Sequence, residues 1–218
     1  MKNPLLLLHG ALGSSEQFLP LQEILSSDRE VFTMDFEGHG KSESKGNFTI
    51  ELFTQNVIDF LKENKILKVD IFGYSMGGYV ALNLASNYTD LADKIITLGT
   101  KFDWTTAFAE KEIKMLSPHQ IQEKVPAFAE RLQQLHRSEN WKNVVEKTAE
   151  MMVALGKNPP LKKENLQQIN TPTLICLGEL DTMSTMEESQ NVASWLPNGK
   201  FKLIENFKHP IETVPAGQ

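Results

Sequence analysis

A six-residue stretch, Gly-Tyr-Ser-Met-Gly-Gly at positions 73–78, constrains the fold of this chain more than any other feature. A mostly apolar run (69–72) precedes it, and a run of small and apolar residues (80–85) follows it. This order predicts a buried strand that turns sharply into a helix, with Ser75 at the corner. Glycine is needed two residues before and after such a serine, because a side chain there would collide with the strand or the helix. The context is typical of a nucleophile elbow.

Short runs of apolar and β-branched residues recur along the chain, each of a length that suits one strand. Such runs are typical of a parallel sheet that is covered on both faces. Amphipathic patterns lie between them, as in the apolar face formed by Ile50, Phe53 and Val57. The alternation predicts an α/β fold with a mostly parallel sheet of about six strands and helices on both faces. The predicted strands cover residues 5–9, 31–36, 69–74, 94–100, 173–178 and 201–205.

The alternation stops between residues 101 and 170, where the pattern is helical throughout. Pro118 indicates one helix start, since proline suits the first position of a helix. We therefore expect an all-helical insertion after the fourth strand. The predicted organisation is a first core segment (1–100), a helical cap (101–170) and a second core segment (171–218). The predicted helices of the insertion cover residues 104–116, 118–136, 140–155 and 161–169.

The bulk properties are those of a globular protein, with 40% apolar and 23% charged residues. A net charge of −6 and the absence of a basic run argue against nucleic acid or an anionic membrane as a partner. No apolar stretch approaches the ~20 residues of a membrane span. The one cysteine, Cys176, lies in an apolar run and is predicted to be a small buried hydrophobe rather than a nucleophile. A chain without an internal disulfide suits a reducing cytoplasm, where we expect this protein.

A glycine-rich segment, His-Gly-Ala-Leu-Gly-Ser at positions 9–14, follows the first predicted strand. Its turn can direct a backbone N–H into the space above Ser75. Together with the N–H of Met76, this donor would form an oxyanion hole for a tetrahedral intermediate. The alternative is an ordinary strand-to-helix loop, and the neighbouring serine turn favours the functional interpretation.

A carboxylate follows the fifth predicted strand, because Asp181 ends the sequence Gly-Glu-Leu-Asp at 178–181. The carboxyl ends of parallel strands meet at the same edge of a sheet as the serine turn. Asp181 is therefore predicted to accept a hydrogen bond from a basic imidazole, which would fix its tautomer and stabilise its charged form. Glu179 and Asp103 are the alternatives for this role.

Five histidines are candidates for the general base. We favour His209, because it follows the sixth predicted strand, downstream of both the serine and the acid. His39 lies in a tight Gly-His-Gly turn, where a structural role is favoured. His9 belongs to the glycine-rich segment, and His119 and His136 lie on predicted helices of the insertion, where solvated or packing roles are expected.

Three motifs together resemble the α/β-hydrolase fold superfamily, namely H-G-x-x-G-S, D-x-x-G-H-G-x-S and G-x-S-x-G-G. The order of nucleophile, acid and base along the chain also matches that family. The resemblance covers nearly the whole chain and implies that Ser75 is the nucleophile, Asp181 the acid and His209 the base. It implies Ala11 and Met76 as the backbone oxyanion donors, with Leu12 as a third candidate. The insertion lies where the family has its cap domain, and no metal or organic cofactor is implied.

The resemblance implies a serine hydrolase that cleaves a carboxylic ester or thioester of a small to medium acyl group through an acyl-enzyme. The expected partner is a small-molecule acyl substrate. The same fold hosts amidases, C–C hydrolases, lyases and cofactor-free perhydrolases, and a ligand-binding module that retained the serine turn is a further alternative. The side chains that we expect near the substrate are Leu12, Tyr74, Phe102, Trp104, Phe108, Trp141 and Met151.

The chain departs from the family pattern near both ends. The family begins with a strand hairpin before the H-G strand, whereas here the H-G strand comes first. Lys208 precedes the predicted base, where the family often has glycine, and nine residues follow His209, where the family has a last helix. We therefore expect one layer of the sheet to be partly bare. A partner subunit, as in a homodimer, or a longer form of the chain would cover it.

Overall fold

The computed structural model describes residues 2–137 and 139–213, and of residue 213 the backbone alone. The strands of its central sheet are β1 (Leu5–Leu8), β2 (Val31–Met34), β3 (Val69–Tyr74), β4 (Ala92–Leu98), β5 (Thr173–Leu180) and β6 (Gly199–Lys208). Their spatial order is β2-β1-β3-β4-β5-β6, and every neighbouring pair is parallel. The predicted α/β fold with a six-stranded parallel sheet is confirmed.

The helices lie between the strands as the alternation predicts. They are α1 (Leu19–Leu25), α2 (Ile50–Glu63), α3 (Met76–Asn87), α4 (Thr106–Glu112), α5 (Pro118–Lys124), α6 (Pro126–Leu135), α7 (Trp141–Lys157), α8 (Lys163–Leu166) and α9 (Met186–Trp195). Short 3-10 helices cover Ser15–Phe18, Ile113–Met115 and Ile211–Thr213. The single helix predicted over 118–136 is wrong, because Pro126 disfavours helical backbone at Val125 and begins a new helix.

Several helices begin at a cap that the sequence supplies. Thr49 accepts a hydrogen bond from the N–H of Leu52 in α2, and Asn140 caps α7 in the same manner. Thr185 and Glu188 form a reciprocal capping box at the start of α9. Each cap satisfies a backbone donor that would otherwise lack a partner in the first helical turn.

The two faces of the sheet are packed unequally. One face carries the main core, which joins the sheet to α2, α3 and α9 and also takes in Val144, Met151 and Leu155 of α7. The other face carries a smaller cluster around Phe18 and Leu98, covered by α1 and the first 3-10 helix. Part of that second face is open, since Ile96 of β4 is 40% exposed.

Cys176 is buried, and burial raises the pKa of its thiol to about 11, so its prediction as a small buried hydrophobe is confirmed. Over residues 2–137 and 139–213, no helix is both long enough and apolar enough to cross a membrane.

Candidate active site

Ser75 lies at the turn between β3 and α3, with φ 50° and ψ −116°. Positive φ at a residue other than glycine costs about 1–3 kcal/mol, so the surrounding packing must hold this conformation. Two glycines give the turn the space that it needs. A Cβ on Gly73 would lie 2.5 Å from the backbone of Gly77, and one on Gly77 would lie 2.2 Å from the carbonyl oxygen of Leu8. The backbone thus has the sharp turn that the sequence predicts at this serine.

A backbone acceptor and a side-chain donor hold Ser75 on the two sides of its Cα. Its N–H donates to the carbonyl oxygen of Leu98 at 2.8 Å. Its carbonyl oxygen accepts from Oγ1 of Thr100 at 3.0 Å, and a Cβ on Gly78 would lie 2.1 Å from the same Oγ1. Sequence reasoning missed Thr100. The available signal was its place just beyond β4, the strand next to β3.

Asp181 and His209 form a hydrogen-bonded pair, with Oδ2 and Nδ1 2.8 Å apart. The Asp181 side chain is 1% exposed. Its other oxygen, Oδ1, accepts from the N–H groups of Met183 at 2.7 Å and Ser184 at 3.1 Å. These donors stabilise the ionised carboxylate inside the protein. An ionised Asp181 accepts the proton on Nδ1, so Nε2 of His209 is the nitrogen that remains to take up a proton.

Gly99, between β4 and the insertion, makes room for this pair. It has φ +62°, and a Cβ there would lie 2.9 Å from Oδ2 of Asp181 and 3.2 Å from Nδ1 of His209. Its carbonyl oxygen accepts from Oγ of Ser184 at 3.3 Å, which ties it to the loop that carries Asp181. Sequence reasoning did not single out Gly99, because a glycine after a strand is common and its neighbours come from distant segments.

The alternative acids and the alternative base lie away from the pair. Glu179 accepts a hydrogen bond from the N–H of Asn206, and Asp103 lines a separate groove beside α8 and α9. His39 is fully buried and packs against His9. Within the described residues, His209 therefore has Asp181 as its carboxylate partner.

One small cavity brings Ser75, Met76, His209 and Ala11 together. Its volume is about 40 Å³, so it has room for only a few atoms unless its walls move. Within the described residues, no hydrogen bond joins Oγ of Ser75 to His209; such bonds are often long before substrate binds. The remaining wall is mainly apolar and consists of Ile50, Tyr79, Lys101, Trp104, Phe108, Met151, Met152, Leu155 and Met183.

The structure places three of the seven proposed pocket side chains in this wall, namely Trp104, Phe108 and Met151. Four of them lie elsewhere, and these are Leu12, Tyr74, Phe102 and Trp141. Trp141 is in the first turn of α7 and packs into a separate apolar cluster with Leu132, about 15 Å along the helix from Met151. Phe102 is buried in the lining of the groove beside α8 and α9, and its ring stacks on Tyr79 at 6.3 Å.

Tyr74 does not line the cavity but supports the loop after β6 that carries His209, which we call the base loop. Its hydroxyl donates to the carbonyl oxygen of His209 at 2.7 Å, and the two ring centroids are 5.5 Å apart. Burial raises the pKa of Tyr74, so the hydroxyl stays protonated and remains a donor at neutral pH. Tyr74, the residue before Ser75, therefore holds the backbone of His209 in place beside the cavity.

The glycine-rich segment forms a tight turn beside the cavity. The N–H of Gly13 donates to the carbonyl oxygen of Gly10 at 3.1 Å, and Leu12 has φ 59°. Nδ1 of His9 donates to the same Gly10 oxygen at 2.8 Å, and its Nε2 accepts from a backbone N–H at 3.1 Å. Burial lowers the pKa of His9 to about 4, so its ring is neutral at pH 7. Ala11 is the residue of this turn that lines the cavity.

Lys101 is a cavity residue that sequence reasoning missed. Its ammonium group pairs with the carboxylate of Glu188, and both side chains are nearly buried. The same ammonium group lies 4.2 Å from the ring centroid of Phe108. The sequence signal that could have indicated Lys101 is its position, directly after β4 and Thr100. In the described part of the chain, no group of three or more His, Cys, Asp or Glu side chains is arranged to hold a metal ion.

The family model described as the alpha/beta hydrolase fold matches residues 3–138, which is more than half of the 218 residues. The chain belongs to the α/β-hydrolase fold family. The solved structure of a thermophilic esterase from Thermogutta terrifontis is similar to this chain, with a TM-score of 0.78 and 23% identity. The similarity covers 98% of this chain and 85% of that one. At this identity the likeness concerns the fold.

Two of the curated relatives match this chain over about half of its length. A Cyberlindnera fabianii protein named "Probable alcohol acetyltransferase" is 33% identical over 101 residues, 45% of this chain and 27% of that protein. The sn-1-specific diacylglycerol lipase ABHD11 of Danio rerio is 31% identical over 124 residues, 52% of this chain and 39% of that protein. The matches therefore span well under half the length of these relatives.

Proposed function

We propose that this protein is a serine hydrolase that cleaves a carboxylic ester or thioester of a short acyl group. The observation that supports it most is the 2.8 Å bond between Asp181 and His209, on the cavity that also holds the strained Ser75. A serine held in the left-handed region beside an oriented imidazole is the arrangement that acyl transfer requires. The relative named as a diacylglycerol lipase supports the same reaction class.

In the proposed reaction, Oγ of Ser75 attacks the carbonyl carbon of the substrate while Nε2 of His209 takes its proton. The oxyanion is stabilised by the N–H groups of Ala11 and Met76. The intermediate collapses, the bond to the alcohol or thiol breaks, and His209 donates its proton to that leaving group. Water then attacks the acyl-serine with His209 as base again, which releases the acid and restores Ser75. Asp181 keeps the imidazole in the required tautomer throughout.

The wall of the cavity supports a short apolar acyl group as the substrate class. Trp104 lies just before α4 and Phe108 lies within it, while Met151 and Met152 come from α7. We propose that α4 to α8 act as a cap that supplies this wall. A cavity of about 40 Å³ accepts a group of acetyl or propionyl size, and the flexible methionines allow modest enlargement.

The proposal is tested with nitrophenyl esters of two to eight acyl carbons on the wild type, Ser75→Ala and Ser27→Ala. Ser27 is exposed and makes only a local hydrogen bond, so it is the matched control. We expect hydrolysis that is strongest for the shortest esters, a loss of about 10³-fold or more in Ser75→Ala, and no change in the control. Equal activity of the wild type and Ser75→Ala would exclude the proposed nucleophile.

A second candidate is transfer of the acyl group to an alcohol instead of water. The relative named "Probable alcohol acetyltransferase" favours it, because that name describes transfer of an acetyl group to an alcohol. Product analysis with ethanol added distinguishes the two reactions. Ethyl ester formation in excess of the acid indicates transfer, and free acid alone indicates hydrolysis.

A further inference from the structure

Three histidine rings that the proposed reaction does not use lie together beside the turn at Ala11 and Leu12. His39 lies between the other two, with its ring centroid 5.2 Å from that of His9 and 5.6 Å from that of His136. His9 and His39 have no exposed surface, and His136 is 2% exposed. His9 and His39 come from the loops after β1 and β2, whereas His136 follows α6 of the insertion. The cluster therefore joins the sheet core to the helical insertion.

His136 bridges two core loops with its two ring nitrogens. Nδ1 accepts a hydrogen bond from the N–H of Gly40 at 3.0 Å, and Nε2 donates to the carbonyl oxygen of Leu12 at 3.2 Å. The N–H of the next residue, Arg137, donates to the carbonyl oxygen of Gly40 at 3.0 Å. One ring form serves both ring contacts, the neutral imidazole with its proton on Nε2.

Leu12 needs such support because its backbone is strained. Its φ of 59° lies in the left-handed region, which is unfavourable for a residue with a Cβ. Leu12 directly follows Ala11, the proposed oxyanion donor, and the two residues belong to the same turn. Rotation of the Leu12 backbone to a relaxed conformation would reorient the peptide groups of this turn. The bond from His136 opposes that rotation directly, since it holds the Leu12 carbonyl oxygen in place.

We propose that His136 is a positioning residue for the oxyanion hole: it holds the turn at Ala11 and Leu12 in its strained form and fastens it to the end of α6. This role rests on the proposed function, since it concerns the geometry of the same reaction. His136 touches neither the substrate nor the reacting atoms, so it acts through the turn. The helical insertion thereby contributes to the arrangement of the oxyanion donors as well as to the cavity wall.

Protonation of His136 would break the bridge. A proton on Nδ1 would face the N–H of Gly40, so two donors would oppose each other at a contact that now has one donor and one acceptor. Burial lowers the pKa of His136, which keeps the ring neutral at pH 7. The carboxylate of Asp35 acts in the opposite direction. The other titratable or charged groups beside it are His9 and His39 of the core and Arg137, Glu139 and Lys142 of the insertion.

The experiment compares wild type, His136→Leu, His136→Gln and His119→Gln. Leucine removes both hydrogen bonds, whereas the glutamine amide can replace the donor to Leu12 without titrating. His119 is an exposed histidine on α5, so it is the matched control. For a short nitrophenyl ester we expect kcat of His136→Leu to fall about tenfold, less than for outright loss of an oxyanion donor, with KM changed less than twofold. Glutamine should restore kcat to within about threefold.

The pH profile separates this role from a loss of fold. The acid limb of kcat should be steeper for the wild type than for His136→Gln, because the wild type can also lose activity by protonation of His136, whereas glutamine does not titrate. Unchanged kcat in His136→Leu overturns the proposal. The proposal is also overturned if His136→Gln is fully folded, is no more active than His136→Leu and has the same acid limb as the wild type.

A third readout keeps the inference distinguishable from the proposed function. Nitrogen-15 spectra of the full chain should show His136 at pH 7 as the neutral Nε2–H tautomer. The amide signals of Ala11 and Gly13 should move in His136→Leu and less in His136→Gln. If the wild type has no hydrolase activity but these signals behave as expected, the proposed function fails while the bridge stands. A different tautomer, or unmoved amide signals, overturns the bridge itself.

Discussion

The two sides of the candidate site are held by different kinds of interaction. On the acid–base side, Asp181 carries a negative charge in a nearly closed environment, and two backbone N–H groups and one imidazole stabilise it. On the oxyanion side, the histidines around the turn are buried rings whose lowered pKa values keep them neutral at pH 7. The first side therefore depends on a charge being present, and the second depends on charge being absent.

This difference predicts distinct responses to mutation and to acid. Removal of the carboxylate should damage catalysis far more than stability, because its neighbours can still hydrogen-bond to an amide. Acid should affect the oxyanion side mainly by lowering the free energy of unfolding. A buried histidine ring resists protonation, whereas the same ring takes up a proton readily once unfolding exposes it to water.

Replacement of the charge on the acid–base side is expected to have the largest effect. Asp181→Asn should lower kcat/KM for a short ester by about 10³–10⁴-fold, because an amide favours the wrong tautomer of His209. Steady-state kinetics at pH 7 provide the measurement. The controls are Glu179→Asn and Asp103→Asn, which should stay within about twofold because neither side chain contacts His209. A larger loss in either control would assign the acid role differently.

Crowding of the same side without a change of charge is the second test. Gly99→Ala should lower kcat about 10–100-fold and the free energy of unfolding by about 1–3 kcal/mol, because its Cβ would crowd Asp181 at a strained φ. Kinetics and urea unfolding measure the two effects. Gly46→Ala is the control, since a Cβ there has no neighbouring atom within 4 Å. If both variants behave alike, the space at Gly99 is not needed.

Acid should weaken the oxyanion side. The native pKa of His9 is about 4 and its unfolded value is near 6.5, so below pH 6.5 the unfolded chain binds a proton that the native chain does not. Stability falls as pH falls, and His9 alone should lower the free energy of unfolding by about 2 kcal/mol between pH 7 and pH 5.

Urea unfolding at both pH values tests this account of His9. His9→Asn should lose about 2 kcal/mol less than the wild type over the interval, whatever its stability at pH 7. His119→Asn is the matched control, because His119 is an exposed histidine outside the buried cluster. An identical loss in wild type and His9→Asn would show that the buried ring does not titrate as described.

Removal of one hydroxyl under the base loop should have the smallest effect. Tyr74→Phe loses the bond to the carbonyl oxygen of His209, so we expect kcat to fall by about 3–10-fold and stability by about 1 kcal/mol. Tyr88→Phe is the control, since Tyr88 is 44% exposed. A kcat in Tyr74→Phe equal to that of the wild type would show that the base loop is held without this bond.

The sequence is informative about the sheet and the serine turn because both depend on local patterns. Strand β3 is predicted to the residue, since a glycine before the serine and an apolar run leave few other conformations. Strand β6 extends beyond the predicted 201–205 to Gly199–Lys208. Its ends are set by pairing with β5 rather than by its own pattern of exposed and half-buried residues.

The surroundings of the site are less predictable because they depend on distant segments. Gly99 matters only because Asp181 and His209, far away in sequence, meet beside it. Trp141 fails as a pocket residue because its helix is long and its other end reaches the cavity. Tyr74 directly precedes Ser75 but does not line the cavity, because successive residues of a strand point to opposite faces. Residue type and spacing indicate the proposed reacting groups, while the supporting contacts require the tertiary structure.

The central claim is that Ser75 is an activated nucleophile, and covalent labelling tests it most directly. The wild type, Ser75→Ala and Asp181→Asn are treated with a fluorophosphonate at pH 7, followed by intact mass and peptide mapping. We predict one adduct per chain on Ser75 in the wild type, none in Ser75→Ala and much slower labelling in Asp181→Asn. A folded wild type without an adduct, or an adduct on another residue, would contradict the account.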